Sequence, residues 1–343
     1  MNIAAAGTSP TVAFKGTREL NDDAPSPRRP GWKRRVLRTA IAILTIYLLL
    51  VVMLALLQRS LIYFPTHEAR GIVPQNAELP VGRVHTITLK TEDDIQLHGW
   101  HVLPNGQAAA DRDACDRQLE LGRPVVLYFS GNAANRQYRT EEFEVFTRLG
   151  CNVFIFDYRG YGENDGSPSE KAFVADARSV WKYATEERNV APDRIILYGE
   201  SLGGGVAVRL ASELSEAGTP PGALVLRSTF TSLVNMGSYH YPWLPVRLVM
   251  VDRFPSIDRI PAVTCPFLQI HGARDSIIPI KFGRELFAAA PEKSATGIAK
   301  RFVELPNADH NDVIFVAERE MRRAVGEFLD TVYGEKYLPE ESR

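Results

Sequence analysis

The chain is most constrained by the pentapeptide Gly199-Glu200-Ser201-Leu202-Gly203 and by the segments on either side of it. The apolar run 194–198 predicts a buried strand, and residues 204–214 predict a helix. The pattern G-x-S-x-G between a strand and a helix is typical of a nucleophile elbow, a sharp turn that presents a serine hydroxyl. Side chains at both flanking positions would clash in so tight a turn, which explains the glycines. The segment therefore predicts a strained and nucleophilic Ser201.

The motif alone is equally compatible with an ordinary strand-to-helix turn, so its partners matter. A serine hydroxyl needs an imidazole to take its proton, and the imidazole needs a carboxylate to fix its tautomer and stabilise its charge. The predicted strand 266–270 runs into Asp275, and the predicted strand 301–305 runs into His310. The chain order Ser, Asp, His is one that such triads use. We therefore predict Ser201 as nucleophile, Asp275 as acid and His310 as base.

Other histidines and aspartates compete for these roles. Histidines in or beside predicted strands are typical of structural residues, and there are four: His85, His98, His101 and His271. His67 precedes the predicted domain, and His240 is the main rival as a mobile site residue. Asp309 and Asp312 lie too close in sequence to His310 to approach its ring from the far side. They are predicted to cap the final helix, which begins near Asn311.

An oxyanion hole needs two backbone N–H donors. One is the N–H after the nucleophile, here Leu202, and the other lies in the loop after the third strand. The strand 125–129 is followed by Ser130-Gly131-Asn132, and Asn132 is the first choice, with Gly131 as the other supplier. The alternative is a Gly/Asn turn without this role.

Several spaced motifs carry a family resemblance. Residues 130–135, SGNAAN, resemble the H-G-N-A-x-N loop of membrane-anchored α/β-hydrolases, and residues 157–170 resemble their D-Y-R-G-Y-G-x-S-x-G-x-P-S-E signature. The segments 199–203, 271–275 and 308–311 match the triad-bearing segments of the same family, over residues 61–333 in total. Ser130 and Asn164 depart from the family pattern, but neither is a triad position. The resemblance implies a branch that contains lysophospholipid lipases and protein depalmitoylases, and a structural role for Asp157 and Arg159.

The predicted fold is α/β: an α/β-hydrolase fold with an eight-stranded, mostly parallel sheet, helices on both faces and a small cap. Strands are predicted at 83–90, 95–102, 124–130, 152–157, 194–199, 223–227, 266–271 and 301–305. Helices are predicted at 137–149, 169–187, 202–214, 281–290 and 312–333. Ligands then bind at the carboxyl ends of the strands.

The predicted cap is the segment 229–263, which is longer than a simple crossover and rich in large apolar side chains. Tyr239, Tyr241 and Trp243 are predicted to help bind an acyl chain there. The alternative is a helix packed on the edge of the sheet. Accessible apolar side chains would favour lipid-like esters, and deep burial would favour the alternative.

An uncharged run from Thr39 to Leu57 is long enough to cross a bilayer as a helix. A cleaved signal peptide is disfavoured because the preceding region is long and no small-x-small site follows. Positive charges concentrate before the span, which puts the N-terminus in the cytoplasm and the catalytic domain outside it. We predict a disordered basic tail over 1–38, a signal anchor over 39–58, a linker over 59–82 and a catalytic domain over 83–335.

Cysteine pairing is left open by the sequence. An extracytoplasmic domain can hold disulfides, and the topology predicts that Cys115 and Cys151 lie close together and can pair. The alternative is a free loop thiol at Cys115 and a small core residue at Cys151. Cys265 is predicted to be buried and free.

Composition adds exclusions. The formal net charge of −1 does not suggest nucleic acid as a partner, and the chain shows no HExxH, Walker-type or CxxC motif. We therefore expect no metal and no organic cofactor, and a substrate that is a lipid-like or acylated ester or thioester. Two alternatives remain: an acyltransferase that uses the same triad, and a non-catalytic, membrane-tethered binding module. The sequence does not indicate an oligomeric state.

Overall fold

A long helix precedes the catalytic domain. The computed structural model describes residues 9, 11, 31–68, 71–72 and 79–334. Helix α1 (Trp32–Ile62) is long and apolar enough to cross a membrane, by length and composition. It begins at Trp32, so residues 32–38 are helical and not part of a disordered tail, since Lys and Arg are good helix formers. Apart from residues 9 and 11, the part of the predicted disordered tail from residue 1 to residue 30 lies outside the described residues.

The strands agree with the prediction within one or two residues at each end, and two short strands were not predicted. They are β1 (Phe64–Pro65), β2 (Val84–Lys90), β3 (Gln96–Val102), β4 (Val125–Phe129), β5 (Ala133–Ala134), β6 (Asn152–Phe156), β7 (Ile195–Glu200), β8 (Ala223–Arg227), β9 (Phe267–Gly272) and β10 (Arg301–Leu305).

Eight of these strands form one sheet in the order β10-β9-β8-β7-β4-β6-β3-β2. The hairpin β2–β3 is antiparallel and joins β6 in antiparallel fashion, and all other neighbours are parallel. Alternate residues of β4 enter different cores: Val125, Leu127 and Phe129 lie in one buried cluster, Val126 and Tyr128 in the other. Helices therefore cover both faces, as a parallel sheet requires.

The helices that follow α1 include all five that the sequence predicts, together with short ones that it does not. They are α2 (Arg112–Arg117), α3 (Thr140–Arg148), α4 (Glu170–Lys182), α5 (Leu202–Glu216), α6 (Leu233–His240), α7 (Val246–Val249), α8 (Ser256–Arg259), α9 (Ile280–Ala289) and α10 (Val313–Tyr333). Short 3₁₀ turns lie at 118–121, 136–139, 192–194 and 260–262, and a π turn ends α4 at 183–187.

The segment predicted as a linker makes contacts with the domain. Tyr63 is 2% exposed and packs its ring against Phe173 in the core. Strand β1 pairs in parallel with β5, with Phe64 opposite Ala133. Two-residue strands carry no periodic pattern, and β1 and β5 could therefore not be predicted from sequence. The boundary at residue 83 remains a prediction.

The three cysteines are buried and free, so the disulfide alternative is wrong. Cys115 is not a loop thiol: it lies on α2, where its Sγ is 3.1 Å from Nδ1 of His101. Burial raises the pKa of both Cys115 and Cys151 to about 12, so the two thiols stay protonated. Cys265 is buried and free, as predicted.

Candidate active site

Ser201 sits on strained backbone between β7 and α5. Its φ of 51° and ψ of −114° lie where side chains are disfavoured. A Cβ at Gly199 would lie 2.6 Å from Cα of Gly204, and a Cβ at Gly203 would overlap the carbonyl oxygen of Phe129. Both flanking glycines are therefore needed, as predicted for an elbow. The surroundings hold the turn: Thr229 Oγ1 donates to the carbonyl of Ser201 at 2.8 Å.

The three predicted triad residues meet at the carboxyl ends of their strands. Nε2 of His310 lies 3.0 Å from Oγ of Ser201, and Nδ1 of His310 lies 2.8 Å from Oδ2 of Asp275. All three side chains are buried, at 5–8% exposure. The geometry allows a proton to pass from the hydroxyl to the imidazole while the carboxylate holds the opposite ring nitrogen.

Asp275 remains ionised in this setting. The N–H groups of Ile277 and Ile278 donate to its Oδ1 at 3.1 and 2.7 Å. Burial acts to raise the pKa of Asp275, but hydrogen bonds from His271 and His310 outweigh it and hold that pKa well below its usual range. A permanently charged carboxylate can stabilise an imidazolium on His310.

The loop that carries His310 is braced by acidic residues in a way that the sequence did not predict. Oδ1 of Asp309 accepts from the N–H of His310 and from that of Ser276, both at 2.7 Å. Oδ1 of Asp312 accepts from the N–H of Asp309 at 2.7 Å. Asp312 occupies the N-cap position of α10, as predicted, but its side chain makes no capping hydrogen bond, and the carboxylates of Asp309 and Asp312 close the turn before the helix instead.

The rival histidines make other contacts, although one of them, His271, lies beside Asp275. His240 is exposed at the end of α6, and its Nε2 lies 2.9 Å from the carbonyl of Ile277. His271 is fully buried, with Nε2 2.8 Å from the carbonyl of Ile278 and 3.4 Å from Asp275 Oδ2. His101 Nε2 lies 3.0 Å from Oδ1 of Asn152 in the core. His271 and His101 thus have structural contacts, as predicted.

The predicted oxyanion loop lies against the elbow. A Cβ at Gly131 would be 3.6 Å from Cβ of Ser201, which puts the loop beside the nucleophile. Leu202 begins α5, so its N–H is at a helix N-terminus, where negative charge is favoured. Nδ2 of Asn132 donates to the carbonyl of Ile62 at 2.7 Å, and the main-chain carbonyl of Asn132 accepts from the N–H of Phe64 at 2.9 Å. Asn132 therefore joins the loop to the end of α1.

A buried ionic network lies beneath the elbow and was missed by the sequence analysis. Arg227 contacts Glu142 at 2.5 Å and Glu200 at 2.9 Å. The hydroxyl of Tyr128 donates to Glu200 at 2.8 Å, and the guanidinium of Arg139 lies 3.4 Å from the Glu200 carboxylate. Burial acts to raise the pKa of Glu200, but the charges of Arg139 and Arg227 outweigh it and lower that pKa. Glu200 occupies one of the two variable positions of the elbow motif, and that position is the sequence signal that could have drawn attention to it.

The Asp-Tyr-Arg loop is structural, as the resemblance implies. The N–H of Arg136 donates to Asp157 at 2.7 Å, and the guanidinium of Arg136 also contacts that carboxylate. Arg159 pairs with Asp176 at 2.5 Å and with Asp93 at 2.6 Å. Asn164, where the family often has Ser, donates to the carbonyl of Asp157 at 2.6 Å.

The cap residues predicted to bind substrate are accessible. Tyr239, Tyr241 and Trp243 are each about half exposed, and Leu248 is 85% exposed. Tyr239 stacks edge-on against Phe282 of α9, and Tyr241 lies edge-on to Trp243. The exposure matches the outcome that favours lipid-like substrates, whereas contact of these three side chains with a substrate remains a prediction.

Comparisons with known proteins agree with this geometry. A family profile described as "Serine aminopeptidase, S33" matches residues 122–254. An uncharacterised protein of Mycobacterium tuberculosis is 41% identical over 273 residues, 79% of this chain and 87% of that protein. Lysophosphatidylserine lipase ABHD12 of Danio rerio is 30% identical over 301 residues, 80% of this chain and 78% of that protein. The chain belongs to the α/β-hydrolase family.

Solved structures show the same α/β-hydrolase fold. An esterase of Pyrococcus furiosus has a TM-score of 0.57 at 21% identity and covers 79% of this chain and 97% of its own. An α/β-hydrolase of Vibrio vulnificus has a TM-score of 0.56 at 19% identity and covers 73% and 81%. The α/β-hydrolase fold predicted from sequence is therefore confirmed, and the protein is a hydrolase of the lipase and esterase type.

Proposed function

We propose that this α/β-hydrolase is a membrane-anchored serine hydrolase that cleaves carboxylic ester or thioester bonds of lipid-like substrates. The observation that supports this proposal is the hydrogen-bonded chain Ser201–His310–Asp275, with distances of 3.0 and 2.8 Å, in which Ser201 has a positive φ. In an ordinary strand-to-helix turn, neither the strain nor the two aligned partners would be needed.

The proposed reaction proceeds through an acyl-enzyme. His310 takes the proton of Ser201 as Oγ attacks the substrate carbonyl, and the backbone N–H groups of Leu202 and Asn132 bind the oxyanion. His310 then gives its proton to the leaving alcohol or thiol. Water attacks the acyl group, with His310 again taking the proton, and releases the acid and Ser201. Asp275 orients the imidazole throughout.

Lysophospholipids are the substrates to test first. Lysophosphatidylserine lipases are among the relatives, and the cap offers half-exposed aromatic side chains. We place the N-terminus in the cytoplasm and the catalytic domain outside it, because positive charge is concentrated before the span.

The decisive experiment compares the wild type with Ser201→Ala, both solubilised in detergent, on lysophosphatidylserine and on p-nitrophenyl esters of increasing acyl length. We expect a loss in kcat of about 10⁴- to 10⁶-fold, as removal of a triad serine gives elsewhere. Ser179→Ala on α4 is the matched control and should retain the wild-type rate. Equal rates in wild type and Ser201→Ala would contradict the proposal.

The same preparations separate the two alternatives. An acyltransferase would convert the ester into a new ester when an alcohol acceptor is added, whereas a hydrolase would release free acid. A binding module would bind lysophospholipid without turnover, and a fluorophosphonate probe would not label its Ser201. We expect free acid as the main product and labelling that Ser201→Ala abolishes.

A further inference from the structure

The end of α1 is fastened to the cap by polar contacts. Gln58 Nε2 donates to the carbonyl of Val249 at 3.1 Å, and Gln58 Oε1 accepts from the N–H of Val251 at 2.8 Å. Arg59 donates to both oxygens of Asp252 at 3.0 and 3.3 Å. The cap segment 249–252 is therefore held at the level of Gln58 and Arg59 along the helix.

That level coincides with the end of the apolar run. Gln58 is the first polar residue after the uncharged stretch that ends at Leu57. A helix that crosses a bilayer places such a residue at the boundary between hydrocarbon and headgroups. The hydrogen bonds of Gln58 thus place Val249 and Val251 at the same depth.

The cap exposes apolar side chains at this position. Val251, which Gln58 holds, is 63% exposed, and Leu248, which precedes Val249, is 85% exposed. Leu57 and Leu61, on the adjoining turns of α1, are about half exposed. A surface that faces only water rarely exposes several neighbouring apolar side chains. Exposed apolar side chains that lie together therefore indicate an interaction site.

Aromatic residues are exposed on the same cap. Tyr239, Tyr241 and Trp243 are half exposed on the cap, and Tyr and Trp are the residues enriched where membrane meets water. Arg247, next to Leu248, is exposed as well and carries a charge suited to lipid phosphate. This combination of aliphatic, aromatic and cationic groups is the composition of a lipid interface.

We infer that the cap is a second membrane-contact surface: Leu248 and Val251 enter the leaflet from which α1 emerges, and the cap aromatics lie among its headgroups. The partner is the lipid bilayer itself. The inference rests on the membrane anchor in the proposed function, but it does not depend on hydrolysis. It brings the cap, where we predict the acyl chain to bind, to the membrane surface, so that a lipid substrate need not cross water to reach it.

The test uses fluorophore labels on single introduced cysteines in the full chain, reconstituted in phosphatidylcholine vesicles. The native cysteines are at most 4% exposed, so they should stay unlabelled. Leu248→Cys reports on the cap and Ile46→Cys on the helix. Leu121→Cys is the matched control, because Leu121 is 60% exposed and precedes the amino end of β4, at the sheet edge opposite the cap.

We expect nitroxide-labelled lipid to quench the labels at 248 and 46 several-fold more than the label at 121, and aqueous iodide to show the reverse order. Equal quenching at 248 and 121, with 46 in lipid, would overturn the cap contact and leave the anchor intact. A label at 46 that iodide reaches as readily as the one at 121 would overturn both. Since no turnover is measured, failure of the hydrolase proposal would not alter these readings.

Discussion

The guanidinium group of Arg227 donates to the main-chain carbonyl of His310 at 3.1 Å, while the main-chain carbonyl of Arg227 accepts from the N–H of Ser201 at 2.9 Å. One buried residue thus contacts the segments of both the proposed base and the proposed nucleophile. Its charge is balanced by Glu142 and Glu200. We assign Arg227 a positioning role, because it acts on the site through these two segments.

Arg227→Met should therefore lower both stability and turnover. The variant removes the cation that pairs with buried Glu142 and leaves Glu200 with Arg139 alone, and breaking a buried pair in this way typically costs about 3–5 kcal/mol. We expect kcat to fall more than KM rises, because His310 loses its support. Urea unfolding and steady-state kinetics measure the two effects.

Arg178→Met is the matched control for that variant. Arg178 pairs with Glu213 at 2.7 Å, but it is 50% exposed, so its loss should cost about 0–1 kcal/mol. Similar losses of stability in the two variants would show that burial of the Arg227 network adds nothing to the free energy of unfolding.

The state of Asp275 predicts a pH dependence of stability. Its pKa is depressed in the folded protein, so it contributes stability above its unfolded pKa of about 3.9, and that contribution is lost as pH falls towards the folded pKa. The difference in free energy of unfolding between wild type and Asp275→Asn should therefore shrink as pH falls below about 4. Chemical unfolding at each pH tests this; a difference that grows on acidification would refute it.

Gly203 should not tolerate a side chain. A Cβ there would overlap the carbonyl oxygen of Phe129, in a rigid strand end that cannot yield. Gly203→Ala should cost at least about 1–3 kcal/mol, the usual range for overpacking, with a matching loss of activity. In Gly326→Ala on α10, the new Cβ would meet only Cδ2 of Leu149, at 3.2 Å. That control should stay close to wild type in thermal melting, and a similar fall in both variants would argue against a tight elbow.

Asn132 should matter through its side chain as well as its backbone. Asn132→Ala keeps the proposed oxyanion N–H but loses the 2.7 Å bond to the carbonyl of Ile62, worth about 1 kcal/mol. We expect kcat on a short soluble ester to fall several-fold at unchanged KM. Asn307→Ala removes an exposed hydrogen bond to Arg274 and should leave kcat unaltered. An unchanged kcat in Asn132→Ala would show that the contact with Ile62 does not position the oxyanion loop.

The sequence predicted most of the fold because its elements have strong local patterns. The buried strands 195–200 and 267–272 are mostly apolar and end at or next to a glycine, and Asp275 and His310 follow their strand ends within three and five residues. The structure brings Ser201, Asp275 and His310 together as the chain order predicts; their catalytic roles remain a proposal.

What escaped prediction depends on contacts between distant segments. The Arg227–Glu142 pair joins residues 85 positions apart, and neither residue stands in a motif. Helix α2 is only six residues long, so it carries no detectable period. The pairing alternative for Cys115 failed because topology places segments at one edge of a sheet but does not set the direction of a thiol.

The contacts of Asp252 bear on whether this enzyme can be shed. Its carboxylate is 3% exposed and takes its hydrogen bonds from Arg59 and from Tyr63, whose hydroxyl donates at 3.0 Å. A protease that cut the chain after Tyr63 would leave this buried charge without either donor and remove a ring from the core. Under the proposed anchor, release of the catalytic domain by a cut after Tyr63 would therefore destabilise the fold of the released piece, whereas a cut before Gln58 would keep both donors on it.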